Sequence, residues 1–318
     1  MNSITVQQQI ESIWNISFFR IREDVSLYGS PERMKERIVF EGVKGELFIL
    51  EQLSEEMVQR KREIAELLDL LAKTSEVPIT PYIKSIKGRF IEEYEGACWQ
   101  IAPYTHGVPL DRTAYMFDRW RGEASVDALT GLYKAIDNHK DVLNTSEDLC
   151  IASYVHTIHN AIRMYRTDIY ARAGNIVSFL NEGLFTREAE LPKRICHGDF
   201  HPMNIIWGER SIRAVIDWEF FGEKLELYDV ALMVGCLGIE DPSALKEGFT
   251  QTFISGMQRS QLFSNVSWEY FFGLVLAIRF GWLSEWFRKS DADMIEMEMD
   301  YMELLMEEQS NLVRAWGV

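Results

Sequence analysis

The sequence predicts an α+β chain in two parts, an antiparallel sheet with one helix followed by a mainly helical region. Three observations lead there. β-prone runs cluster before residue 103 around a single amphipathic helical stretch. Helical spacing dominates from Arg112 onward. Within that helical part, Cys196–Glu219 holds two short apolar runs, Asn204–Trp207 and Ala214–Asp217, around a polar link opened by Gly208.

Taken in order, Val6–Ile13 reads as a short leading helix and Phe18–Glu23 as a strand. Gly29 and Pro31 mark a turn. Arg37–Glu41 and Glu46–Glu51 form a hairpin around Gly42–Gly45. Glu55–Ala72 places Val58, Ile64, Leu67, Leu68 and Leu71 at helical spacing, with a charged outer face. Ile83–Ile86, Arg89–Tyr94 and Ala97–Ala102 complete the strands. Helical patterns follow at Val126–Lys134, Leu149–Ala171, Ala173–Asn181, Leu227–Leu237, Pro242–Phe253, Trp268–Lys289 and Ala292–Ala315.

At 318 residues and 47% hydrophobic, the chain can bury a sizeable core. A net charge of −16 argues against a nucleic-acid partner, which needs a basic face, and fits a small polar or cationic substrate. The four cysteines, Cys98, Cys150, Cys196 and Cys236, form no CxxC pair, so reduced thiols in a cytoplasmic protein are expected. The first ten residues lack a signal-peptide pattern. Tyr270–Phe287 is apolar but carries Arg279 and Glu285, which makes it a buried helix rather than a membrane span.

The two runs around Gly208 read as a β-hairpin. A hairpin symmetric about its link pairs Trp207 with Ala214 and Asn204 with Asp217. Opposed residues share a face, with Cβ atoms about 5 Å apart. An amide oxygen and a carboxylate so placed suit Mg²⁺, which also takes phosphates and water. Asp199 lies five residues before Asn204. An Asp-x-x-x-x-Asn spacing with a later Asp is a kinase catalytic-loop pattern.

His197-Gly198-Asp199-Phe200-His201-Pro202-Met203-Asn204, followed by Ile216-Asp217-Trp218-Glu219, resembles the aminoglycoside phosphotransferase and choline kinase family of the protein-kinase-like superfamily. The resemblance implies a two-lobed kinase-like fold, with residues 1–103 as the nucleotide-binding lobe and 104–318 as the catalytic and substrate-binding lobe. It implies ATP and Mg²⁺ as cofactors and a hydroxyl of a small metabolite as phosphate acceptor. Asp199 would be the base, and Asn204 and Asp217 the metal ligands. His201 would stand near the γ-phosphate or brace the loop, and His197 and Asp229 would be structural. Trp99–Gly107 resembles an inter-lobe hinge, with backbone at Ala102, Pro103 and Tyr104 beside adenine. Pro103 has no N–H, so a neighbour must donate.

The phosphate side departs from the family. The strand position where a lysine is expected is Glu51, and the matching helix carboxylate is Glu63. Either the register differs and Lys44 or Lys61 takes the role, or the lysine is missing. Two facing carboxylates would repel, so one of Arg60, Lys61 or Arg62 is expected to pair with Glu51, with Arg33, Lys35 or Arg37 meeting the phosphates. The phosphate loop has only Gly29. These departures keep open an alternative, a nucleotide-binding scaffold that has lost turnover. In the late helices, Trp282, Glu285 and Trp286 are candidates for holding a cationic substrate, as aromatic faces with an acid. A buried aromatic stripe is the competing reading.

Overall fold

A computed structural model describes residues 3–27 (3–6 as backbone only), 34–112, 114–141, 143 and 149–318. The turn at 28–33, with Gly29 and Arg33, lies outside the described residues. The elements in chain order begin with α1 (Ser3–Trp14), β1 (Phe18–Ile21), β2 (Met34–Gly42), β3 (Leu47–Leu53), α2 (Val58–Thr74), β4 (Glu92–Tyr94) and β5 (Ala97–Pro103). Next come α3 (Arg119–Asp137), α4 (Ile151–Ile162), α5 (Thr167–Glu182), α6 (Leu184–Arg187), β6 (Lys193–Cys196), β7 (Ile205–Trp207), β8 (Ile212–Val215) and β9 (Gly222–Leu225). The chain finishes with α7 (Tyr228–Glu240), α8 (Gly248–Arg259), α9 (Asn265–Glu269), α10 (Phe271–Lys289), α11 (Ala292–Glu307) and α12 (Gln309–Trp316).

The chain divides into two compact units. One comprises Met1–Pro109, Lys134–Leu143 and Met203–Glu219, the other Leu110–Tyr133, Asn144–Pro202 and Phe220–Val318.

The first unit holds an antiparallel sheet in the order β1-β2-β3-β5-β4. Strand alternation separates its faces. Phe40, Leu50, Trp99 and Ile101 pack with Ile10 and Trp14 of α1 into one core. The opposite residues Arg37, Glu51 and Gln100 stand in register across β2, β3 and β5, forming a polar stripe. Helix α2 buries Lys61, Ile64, Ala65, Leu67, Leu68 and Leu71, a stripe at helical spacing. Ile83–Ile86 is not a strand. Its backbone bonds run to three different places: Ile83 N–H to Ile101 O, Ser85 N–H to Arg89 O with Gly88 N–H returning to Ser85 O, and Ile86 N–H to Ile13 O.

The β7–β8 hairpin belongs to the same unit, and its register corrects the symmetric pairing. Ile205 faces Val215, Ile206 faces Ala214, and Trp207 faces Ile212. The turn is centred one residue earlier than symmetry placed it, closed by Gly208 N–H on Ser211 O at 2.7 Å. Arg213 is then an extra residue on β8, a bulge. Asn204 consequently lies opposite Ile216, whose N–H donates to Asn204 O at 2.9 Å, rather than opposite Asp217.

The second unit is helical apart from the β6–β9 ribbon. Helix α10 is its axis, packed on α4, α7 and α11 and buried almost throughout from Phe271 to Phe280. Four expected helices are divided, Pro242–Phe253 among them, where extended Glu247 parts a short 3-10 turn from α8. Leu149–Ala171 breaks at Arg163–Arg166, where Arg166 turns extended and Asp168 opens α5 with a charge favourable to its N-terminus. Trp268–Lys289 is α9 and α10. Ala292–Ala315 is α11 and α12, broken at Glu308. Helix α11 starts where Ser290 turns left-handed (φ 55°) and Asp291 accepts from Met294 N–H. Among the described residues no helix is long and apolar enough to cross a membrane.

Candidate active site

In the first unit, an open cleft of about 680 Å³ lies over the polar face of the sheet. Its lining includes Ala102–Thr105 of the expected hinge, Glu51, and the stretch Ile216–Glu219. Glu51 is buried, and both its oxygens are engaged. Arg37 Nε lies 3.2 Å from Oε1, and Gln100 Nε2 donates to Oε2 at 2.6 Å. The cation in direct contact with Glu51 thus comes from the neighbouring strand β2, while Lys61 of helix α2, one of the partners the sequence suggested, acts on it through space.

Lys61 of α2 also lines the cleft, but its Nζ reaches Glu219 Oε1 at 2.5 Å and lies 3.5 Å from the Tyr82 hydroxyl. Burial disfavours the ammonium. Tyr82, Glu219 and Glu51 together outweigh that cost and hold the Lys61 pKa above the ordinary lysine range. Arg60 adds a hydrogen bond from Nε to Glu219 O at 3.0 Å. Glu63 is not part of the lining. Two residues beyond Lys61 on a 3.6-residue turn, it faces away and meets Gln59 and Arg60 on the half-exposed flank. Lys44 sits exposed on the β2–β3 turn. Lys35 is exposed at a bulge in β2.

At the hinge, the Tyr104 N–H is already spent on Leu47 O at 2.9 Å, and Pro103 has none. Ile101 O accepts from Ile83 N–H on the other edge of β5. Alternation therefore puts residues 101, 103 and 105 on that outer edge, and Tyr104 on the edge facing β3. The backbone groups that this leaves for a ligand are the Pro103 carbonyl and the Thr105 N–H.

Asp217 lines the cleft with φ 61°, a left-handed conformation uncommon for a residue with a side chain. Such conformations cost on the order of 1–3 kcal/mol and concentrate at functional sites. Asn204 is buried one register step away. Among the described residues no three His, Cys, Asp or Glu side chains gather as a metal site. Two hard oxygen donors are nevertheless a suitable protein share for Mg²⁺, which binds through one or two side chains and completes its octahedron with phosphates and water.

In the second unit, the loop after β6 is fixed by its backbone. Gly198 has φ 83°, and a Cβ there would stand 2.1 Å from Phe220 O, so no other residue fits. Asp229, fully buried at the start of α7, accepts from the N–H groups of His197 and Gly198, both at 2.8 Å, and from the Tyr133 hydroxyl at 2.9 Å. Burial raises its pKa, and those donors oppose the rise. His197 Nδ1 accepts from Asp199 N–H at 3.1 Å. His201 Nε2 stands 3.6 Å from Asp199 Oδ1, beyond a good hydrogen bond. Burial, helped by Arg279, pushes the His201 pKa down to about 4, so the ring is neutral at pH 7.

Trp282 meets His201 edge-on, with centroids 5.6 Å apart, and Trp286 continues the aromatic wall at 6.0 Å. Glu285 does not present a bare carboxylate. Arg288 and Lys289 hold it at 2.6 and 3.0 Å, and those bonds draw its pKa down to about 2. Behind Trp282 lies an unforeseen element, a fully buried bidentate pair between Arg279 and Glu298 with both bonds at 2.6 Å. A lone arginine inside an apolar helical run was its signal, since a buried charge requires a partner.

The chain belongs to the phosphotransferase enzyme family, whose model matches residues 48–263. No curated protein matches it by sequence. Solved structures share its fold at low identity. An aminopropanol kinase associated with a microcompartment is 15% identical, with 97% of this chain and 98% of that one covered and a TM-score of 0.67. An amicoumacin kinase in complex with AMP-PNP and Ca²⁺ is 11% identical, with coverage of 97% and 94% and a TM-score of 0.66. The GDP complex of aminoglycoside 2′-phosphotransferase-IIIa is 14% identical, with coverage of 97% and 100% and a TM-score of 0.66. The α+β fold expected from the sequence, a small antiparallel sheet with one helix and a mainly helical remainder, is that of these kinases.

Proposed function

We propose that this protein transfers the γ-phosphoryl group of ATP to a hydroxyl of a small polar metabolite, with Mg²⁺. Residues 1–103 supply the nucleotide lobe and 104–318 the catalytic and acceptor lobe. The observation that carries this reading is the cleft of the first unit. Its walls include both the hinge residues Ala102–Thr105 and Asp217. Adenine would bond to the Pro103 carbonyl and the Thr105 N–H, beside Ala102 and Tyr104. Asn204 and Asp217 would hold the metal, which neutralises phosphate charge when bound. Asp199 takes the proton as the acceptor oxygen bonds to phosphorus. The bond from phosphorus to the bridging oxygen breaks, and ADP leaves. Neutral His201 braces the loop that carries Asp199 rather than supplying charge. Trp282 and Trp286 form the apolar wall for the acceptor, and a cationic group there would be held by their faces more than by Glu285.

The test is ATP consumption over a panel of amino alcohols, aminoglycosides and sugars, with and without Mg²⁺. Asp199→Asn should lower turnover by roughly 100-fold or more while leaving nucleotide affinity nearly unchanged. A second reading, a nucleotide-binding scaffold, draws on Glu51 standing where a lysine is expected. Tight Mg²⁺–ATP binding with no transfer to any acceptor would favour it.

A further inference from the structure

Asp217 keeps its left-handed backbone between two anchored flanks. Such a conformation costs free energy, so it persists only where the surroundings determine the chain around it. On the near side, the end of β8 is tied to its neighbours. Val215 N–H donates to Pro78 O at 2.8 Å, and Ile216 N–H donates to Asn204 O at 2.9 Å. On the far side, Trp218 and Glu219 open a 3-10 turn, and Trp218 Nε1 folds back onto Val215 O at 3.0 Å. Helix α2 then grips Glu219 from two consecutive positions. Lys61 Nζ lies 2.5 Å from Glu219 Oε1, and Arg60 Nε donates to Glu219 O at 3.0 Å. All of these residues belong to the first unit.

Lys61 and Glu219 are both buried. A buried ion pair adds little net stability, because desolvation offsets the attraction. What it does supply is a fixed distance, since neither charge can leave without stranding the other. The pair therefore sets where Glu219 lies relative to α2. Glu219 is two residues beyond Asp217, a span of at most about 7 Å of chain. With β8 held on the other side, a shift of Glu219 would turn the Asp217 backbone and its carboxylate. The direction of that carboxylate matters more to one cation than to another. Mg²⁺ demands a near-ideal octahedron at about 2.0–2.1 Å, whereas Ca²⁺ accepts irregular sets of oxygens at about 2.3–2.6 Å.

We propose that Lys61 and Arg60 are positioning residues for Asp217, acting through Glu219 to hold its carboxylate in the narrow geometry that Mg²⁺ requires. The inference rests on the reading of Asp217 as a metal ligand. It deepens that reading by naming what keeps the ligand in place and which cation the arrangement selects. It also gives the lysine of α2 a task at the metal without contact with it.

The experiment measures how much free Mg²⁺, and separately how much free Ca²⁺, half-saturates binding of a non-hydrolysable ATP analogue to the full chain. Lys61→Met with Glu219→Leu opens the clamp and strands no charge. This double variant should need roughly fivefold more Mg²⁺ than the parent or worse, with its Ca²⁺ requirement within about twofold, because only Mg²⁺ is strict about geometry. Arg60→Met removes one hydrogen bond from a partly buried side chain. It should raise the Mg²⁺ requirement by about twofold, less than the worth of a full hydrogen bond because Lys61 still holds Glu219. A folded double variant with the parent's Mg²⁺ requirement would overturn the inference. So would equal rises for Mg²⁺ and Ca²⁺, which would show a general loosening of the cleft. If the double variant does not fold, Arg60→Met decides, and an unchanged Mg²⁺ requirement overturns the inference. A parent that binds the analogue equally well without metal would overturn the reading of Asp217 as a ligand, and one that never binds it would overturn the nucleotide reading. The inference falls with either.

Discussion

Gly198 and Glu51 stand at comparable places in the two units. Each lies beside residues assigned to the nucleotide chemistry, and each is held by hydrogen bonds or ion pairs from neighbouring elements. Gly198 lies in the segment whose pattern resembles the family's, and Glu51 stands where the sequence led us to expect a lysine. The constraint on Gly198 is steric: its φ is 83° and Phe220 O leaves no room for a Cβ. A backbone approach of that kind has one solution. The constraint on Glu51 is electrostatic. An ion pair needs opposite charges at contact distance, and either side may carry either sign. Arg37–Glu51 and Lys61–Glu219 are such solutions, with the basic residue on β2 and α2 instead of on β3. Backbone-limited positions should therefore resist compensation, while charge-limited ones should accept it.

The largest effect tests the steric side. Gly198→Ala places a methyl 2.1 Å from a carbonyl oxygen in a left-handed conformation. The loop must move, and with it the N–H groups that Asp229 holds. A stability loss on the order of 3 kcal/mol or more is expected from such a change. Turnover should fall by roughly 100-fold or more, since a displacement of about 1 Å near a reacting group costs that much. Thermal unfolding and steady-state assays read both. A variant with normal melting and normal turnover would show that the loop is soft and remove the contrast with the sheet.

Next in size is the clamp on α2. Lys61→Met leaves Glu219 buried without its ammonium, and breaking a buried pair from one side costs about 3–5 kcal/mol. Removing both charges, by Lys61→Met with Glu219→Leu, should restore most of that loss, because no charge is then left stranded. Denaturant midpoints of the single and double variants give the coupling. If the double variant is as unstable as the single one, Lys61 contributes through packing rather than charge.

The same contrast governs how much could be read from the sequence. The sheet with its helix was legible because apolar spacing differs between periods of two and 3.6, and Glu55–Ala72 and the strands around it follow those periods. The divided late helices were not, because Glu308 and Tyr270 interrupt patterns whose apolar spacing continues across them. The segment Cys196–Glu219 was legible as a motif. Its hairpin register was not, because the bulge at Arg213 adds a residue that no spacing announces. Near Glu51 the sequence showed a carboxylate in an unusual place and the need for a cation. Which cation answers depends on strand pairing, and Arg37 lies fourteen positions upstream. The Arg279–Glu298 pair joins two helices and left only the arginine's isolation as a trace.

The smallest effect belongs to His201, which lies on the steric loop but carries a titratable ring. Its pKa in the folded chain is about 4, because it is buried and Arg279 is near. The facing Asp199 carboxylate, 3.6 Å away, acts in the opposite sense, and Trp282 offers no charge. The unfolded value is near 6.5. Between those values the unfolded chain binds a proton that the folded chain refuses. Stability from this group is thus complete above about pH 6.5, declines as pH falls, and reaches its floor below about pH 4. At pH 5.5 the loss relative to neutral pH should be on the order of 1 kcal/mol. His201→Gln removes the titration, so its melting temperature should fall less between pH 7.5 and 5.5 than the parent's. Equal declines in the two proteins would mean that His201 is hydrated or paired with Asp199 as an ion, and that the loop accepts charge compensation after all.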